Sequence, residues 1–197
     1  GSEESREVAH DELHDKSLIT ETIASEEWIV RLLEGLPDES IKEAFEPELF
    51  SGSLRPYQRR GLAWLQFLGK LGLGGCLADD MGLGKTPTTL AHILSRNASQ
   101  PSLVICPLSV VHNWESEAKK FTPDLKVFVS HGSSRPTGQS LIDSAQESDI
   151  VVTTYATATR DIDDLNKIKW DLLICDEAQF IKNHQTNAAA AVRRIQA

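Results

Sequence analysis

Leu77-Ala-Asp-Asp-Met-Gly-Leu-Gly-Lys-Thr-Pro-Thr-Thr89 is the stretch that decides the fold. An apolar run from Leu73 to Ala78 leads into Gly82-Leu83-Gly84-Lys85-Thr86, and a helical pattern from about Lys85 to Arg96 follows. Strand, glycine-rich turn and helix in that order form a loop that closes around phosphate. Glycine lets backbone N–H groups approach phosphate oxygens where a Cβ would obstruct them. The helix adds its unpaired N–H donors and the positive end of its dipole. In this pattern Lys85 reaches the β- and γ-phosphates of a nucleotide, and the Thr86 hydroxyl holds Mg²⁺. Pro87 falls in the first helical turn, where a missing N–H is tolerated. One position departs from the full loop pattern: Asp79 stands where a glycine is expected, five residues before Gly84.

A second stretch strengthens the reading. Trp170-Asp-Leu-Leu-Ile-Cys-Asp-Glu-Ala-Gln179 is a short apolar strand that ends in two adjacent carboxylates. Parallel strands present their ligand sites at their carboxyl ends, so Asp176 and Glu177 belong beside Lys85 and Thr86 if both strands share one sheet. Asp176 would then bind the Mg²⁺ and Glu177 would polarise the attacking water. Two solvated acids after an edge strand are the plain alternative, and the glycine loop weighs against it.

Composition bounds the rest. A chain of 197 residues can bury a sizeable core, as one domain with an appendage. No apolar run approaches membrane-spanning length and no signal peptide leads the chain, while Gly1-Ser2 reads as a cloning scar. Cys76, Cys106 and Cys175 each fall in a predicted strand without metal-ligand spacing, so small buried thiols in a reducing compartment are expected. The net charge of −9 is local: residues 1–50 hold 15 acids against 4 bases, and residues 51–197 hold 14 against 16. The acidity therefore does not exclude a nucleic-acid partner for the larger part.

Residues 1 to about 20 read as a polar arm, followed by a short helix from Ser25 with Trp28, Ile29, Leu32 and Leu33 on one face. A weak helix over Glu39 to Phe45 closes an accessory segment of residues 1–50. Leu54-Arg-Pro-Tyr-Gln58 opens an amphipathic helix with Leu62, Leu65, Phe67 and Leu68 toward the core. Gln58, at its polar start, carries an amide that both donates and accepts, which suits an adenine edge. Beyond the loop helix, strands are predicted at Leu103–Pro107, Lys126–Ser130 and Asp149–Thr154, with helices over Val110–Phe121, Ser140–Ala145, Ala156–Lys167 and Asn187–Ala197. This alternation, with strands such as Leu-Val-Ile-Cys that are apolar throughout, predicts an α/β fold: a parallel sheet with helices on both faces.

With these blocks in order, the chain from about residue 52 resembles the first RecA-like lobe of Swi/Snf-type ATPases in helicase superfamily two. Leu54-Arg-Pro-Tyr-Gln58 through Trp64-Leu65 is similar to the family's adenine motif. Asp79-Asp80-Met81-Gly82-Leu83-Gly84-Lys85-Thr86 resembles its motif I, which normally lacks the first loop glycine. Cys106-Pro-Leu-Ser109 with Trp114 is similar to motif Ia, and Thr153-Thr-Tyr155 to motif Ib. Asp176-Glu-Ala-Gln179 with Ile181-Lys-Asn183 is similar to motif II and its extension. Gln179 replaces the more usual His, a variant that leans toward prokaryotic members, and Pro87-Thr88 replaces an aliphatic-Gln pair.

The resemblance implies an ATP- and Mg²⁺-dependent translocase on double-stranded DNA that remodels protein–DNA complexes. Sequence-independent phosphate contacts would come from Pro107, Leu108, Ser109, His131, Gly132, Thr153, Thr154 and Tyr155. It also implies a second RecA-like lobe in cis, which these residues do not include, so negligible turnover is expected of this piece alone. A protein partner of unknown kind is implied, no membrane, and a cytoplasmic, nucleoid-associated setting or a nuclear one. An RNA helicase or other superfamily-two motor, or a non-catalytic nucleotide-dependent interaction module, stays open.

Overall fold

The computed structural model describes residues 43–77, 84–183 and 186–197. The arm, the helix from Ser25, and Asp80, Met81, Gly82 and Leu83 of the glycine loop lie outside the described residues. Among the described residues four strands form one sheet: β1 (Ser102–Cys106), β2 (Val127–Ser130), β3 (Ile150–Thr154) and β4 (Leu172–Cys175), in the order β2-β3-β1-β4. All three pairings are parallel, with Cys106 opposite Thr154, Ser130 opposite Thr153 and Ile105 opposite Cys175. Every strand therefore ends at the same edge of the sheet, and the loops that follow them gather there.

Seven helices flank the strands among the described residues: α1 (Pro56–Lys70), α2 (Lys85–Arg96), α3 (Val111–Phe121), α4 (Gln139–Gln146), α5 (Tyr155–Arg160), α6 (Ile162–Leu165) and α7 (Asn187–Arg194). Strand side chains alternate between two cores, as the pleat requires. Val104, Cys106, Ile150 and Val152 meet Leu90 and Ile93 of α2 and Val111, Trp114 and Ala118 of α3. Leu103, Ile105 and Val151 meet Leu141 of α4, Tyr155 and Ala158 of α5, and Leu165 of α6 on the other face. Burial on both faces is why β1 and β3 could be apolar at successive positions.

Three expectations need correction. The run before the glycine loop is not a strand over its described residues, 73–77, although its apolar composition suggested one. It leaves α1 through a left-handed Gly72 (φ +68°), whose N–H bonds to Gly69 O while Leu73 N bonds to Leu68 O. This closure satisfies the last carbonyls of the helix. Cys76 is accordingly exposed and outside any strand, whereas Cys106 is buried in β1. The helix expected over Ala156–Lys167 is two short helices parted at Asp161, whose carboxylate takes the Nε and Nη2 hydrogens of Arg135, both at 2.7 Å. The weak helix over Glu39–Phe45 is not formed in its described residues, 43–45.

Residues 43–50 pack on this body. Phe50 stacks on Phe121 with ring centroids 5.5 Å apart, and Phe50, Leu54, Leu62 and Ala91 share a third core. Glu46 accepts hydrogen bonds from Leu54 N, Ser53 and Arg59. Burial pushes its carboxyl upward, but these bonds and the Arg59 charge outweigh that and hold it at about 2. A depressed carboxyl stabilises the fold fully above its unfolded value and loses that contribution as pH falls toward 2. Glu46→Gln is therefore expected to cost about 1–3 kcal/mol at pH 7. In urea unfolding the two proteins should converge as pH is lowered from near 4.5 toward 2.

Candidate functional site

The α2 helix opens at Gly84, which adopts φ +74°, ψ +47°, and so sits in the left-handed region that glycine enters without strain. Space is tight as well: a Cβ there would lie 2.3 Å from the Gln58 amide nitrogen, which would have to move aside. That nitrogen donates to Gly84 O at 3.0 Å, while the Gln58 carbonyl oxygen accepts from Arg55 N at 2.8 Å. Gln58 is thus buried and joins the start of α1 to the exit of the glycine loop. Gly84→Ala is expected to cost about 1–2 kcal/mol from the backbone alone. A further steric penalty should disappear in a Gln58→Ala background, which urea unfolding of the two variants and their combination would resolve.

Lys85 and Thr86 face the same cavity as Asp176 and Glu177. It measures about 610 Å³ and lies between segment 73–77 and β4, with Leu65, His92 and Trp114 also on its walls. Residues 91 apart in sequence are brought together because α2 starts, and β4 ends, at the same edge. His92 lines the cavity wall; burial, then the Arg96 charge, lowers its pKa from the ordinary value, and Arg96 itself is bound to Asp171.

Asp176 is held at four points. Its N–H continues the ladder to Ile105 O at 2.9 Å, and its carbonyl accepts from the Tyr155 hydroxyl at 2.8 Å. Its Oδ1 accepts from Glu177 N at 2.9 Å, and its Oδ2 from the Trp114 indole N–H at 2.8 Å. Glu177 adopts φ +52°, ψ +54° at the start of the short helical turn Ala178–Ile181, and its carboxylate accepts from the Gln179 amide. A left-handed non-glycine residue carries strain of roughly 1–3 kcal/mol and turns its side chain out of the strand direction. Burial and the Asp176 charge push the Cys106 thiol up to about 12, so that sulfur is an inert neighbour. Burial, then the neighbouring Cys175 and Asp176, likewise raise the Tyr155 phenol.

The proposed phosphate-contact residues divide. Leu108 and Ser109 are exposed, Pro107 and His131 are partly so, and Gly132 is exposed in the turn after β2. Thr153, Thr154 and Tyr155 are buried. Thr153 donates to Ser130 O across the sheet, Thr154 caps α5 through Thr157 N, and Tyr155 is bound to Asp176. Their polar groups are used to build the frame. Trp114, which the sequence reading named only beside the motif Ia stretch, was left out of the site; it packs with Val111 and Ala118 in the core and also reaches Asp176.

The family model of the SNF2-related domain matches residues 57–197. A putative ATP-dependent helicase/translocase of Bacillus subtilis, YwqA, is 40% identical over 166 residues, covering 82% of this chain and 18% of that protein. The TATA-binding protein-associated factor MOT1 of Saccharomyces cerevisiae is 37% identical over 199 residues, covering 92% of this chain and 11% of that protein. The chain thus spans less than a fifth of the length of these curated relatives. Among solved structures, the SWI2/SNF2 ATPase core of Sulfolobus solfataricus in complex with double-stranded DNA superposes with a TM-score of 0.70 at 44% identity, over 79% of this chain and 32% of that one.

Proposed function

Because the chain belongs to the family of SNF2-related domains, we propose that it is the first ATP-binding lobe of a DNA-dependent ATPase that moves along double-stranded DNA and remodels protein–DNA complexes. The observation that carries this reading is the convergence of Lys85, Thr86, Asp176 and Glu177 on one cavity at the carboxyl edge of the sheet. Lys85 neutralises phosphate charge. Thr86 and Asp176 offer a hydroxyl and a carboxylate, the hard oxygen donors that suit Mg²⁺, and their position in one cavity with Lys85 fits that ion. When bound, Mg²⁺ supplies charge neutralisation on the phosphate oxygens. Glu177 orients a water and takes its proton, and Gln179 orients Glu177. Gln58 sets the loop exit against the start of α1 through its bond to Gly84 O, and its amide suits contact with the adenine edge.

The exposed loops Pro107–Ser109 and His131–Gly132 follow β1 and β2 at the same edge and suit contact with DNA phosphates without reading bases. The similarity to an ATPase core bound to double-stranded DNA supports duplex as the track. The test is made on the full-length protein. Duplex DNA is expected to stimulate phosphate release from ATP, and ATP to drive displacement of a third strand from a triplex without separating the duplex. Strand separation instead would favour an unwinding helicase, and no stimulation by DNA would overturn the proposal.

A further inference from the structure

Resting on the ATPase reading above, we propose that Trp114 is a positioning residue, whose indole N–H fixes the Asp176 carboxylate in the orientation that meets a nucleotide-bound divalent cation. Trp114 is 3% exposed, packed among Val104, Val111 and Ala118, yet its ring edge reaches the wall of the cavity. Its Nε1 lies 2.8 Å from Asp176 Oδ2. The other oxygen, Oδ1, is held by Glu177 N at 2.9 Å, so the carboxylate plane is pinned from both sides.

The chemistry of the donor matters. An indole N–H donates once, carries no lone pair that could compete for a metal, and stays protonated at every working pH. Lysine or arginine in this place would also orient the carboxylate, but its full charge would repel a divalent cation. An indole orients and leaves the negative charge unspent. The packing of α3 on β1 and β3 holds the ring, so the orientation of Asp176 is fixed before any ligand arrives. Groups that act in this way on a metal ligand typically contribute about 10–100-fold in metal affinity.

A packing role alone makes a different forecast: Asp176 would simply satisfy a buried indole, and loss of the N–H would leave metal binding untouched. Trp114→Phe keeps an aromatic ring and removes the donor. In the full-length protein, equilibrium binding of ATPγS is measured with EDTA and then with increasing Mg²⁺. Trp114→Phe is expected to raise the Mg²⁺ concentration for half-maximal enhancement about tenfold or more, with metal-free affinity held within about twofold. In an Asp176→Asn background the same substitution should add nothing, because the two act through one oxygen. An unchanged Mg²⁺ dependence, or an equal loss with Asn at 176, overturns the inference. A protein without Mg²⁺-dependent binding before substitution would overturn the ATPase reading itself. Should Trp114→Phe fail to fold, the unmodified protein decides: its Trp114 indole N–H resonance must shift when Mg²⁺ joins the nucleotide complex, and an unmoved resonance counts against the role.

Discussion

Glu177→Gln in the full-length protein is expected to lower ATP turnover by roughly 10²–10⁴-fold, the usual contribution of a positioned base, while nucleotide still binds. The substitution is close to isosteric. Glutamine keeps a carbonyl oxygen that can accept from the Gln179 amide, so the local bond survives. Backbone geometry at φ +52° is set by the turn into Ala178–Ile181 and does not depend on the charge. The negative charge is removed, and with it the capacity to take a proton. Single-turnover hydrolysis and equilibrium binding, measured together, separate the two effects. Persisting turnover with intact binding would assign the proton to another group and displace Glu177 from its proposed role.

Lys85→Ala should act one step earlier. Lys85 stands at the first position of α2, where the N-terminal donors of the helix also point. Loss of a partly desolvated charge pair with phosphate costs about 2–5 kcal/mol, or roughly 30-fold to several thousand-fold in affinity at 1.4 kcal/mol per decade. Binding of ATPγS to the full-length protein is therefore expected to fall by about 10²-fold or more, and DNA-stimulated turnover to vanish with it. Normal function in Lys85→Ala would instead favour a module whose role is docking rather than hydrolysis.

Much of the fold was legible because periodicity reports burial. The helix after the glycine loop was read with its observed bounds, Lys85–Arg96, and β1, β2 and β3 were placed to within a residue. What was lost lay in contacts distant in sequence. Nothing near Asp161 announces that Arg135, 26 residues earlier, will draw its carboxylate and part a helix in two. The run before the loop has strand-like composition, but a strand needs a partner for its N–H and C=O groups. In its described residues this run instead lies against α1, where a Cβ on Gly75 would stand 2.9 Å from Leu65 and 3.0 Å from Leu68.

The candidate site divides along the same line. Lys85, Thr86, Asp176 and Glu177 were readable because each ends or begins an element with a clear period, and the parallel topology does the rest. Thr153, Thr154 and Tyr155 were named from the family resemblance alone, and the internal hydrogen bond that each of their hydroxyls makes could not be read from the sequence. Trp114 was named beside the motif Ia stretch but given no role, since a tryptophan on the apolar stripe of a helix signals packing before anything else.

The left-handed backbone at Glu177 sets two selective pressures against each other. Glycine at that position would relax the peptide, and drift under thermal stability alone would favour it. If Glu177 serves as the proposed base, a long acidic side chain should persist there only while a lineage needs the reaction. Among relatives of this chain, a glycine or asparagine at the equivalent of Glu177 should mark proteins that have given up hydrolysis and kept the scaffold.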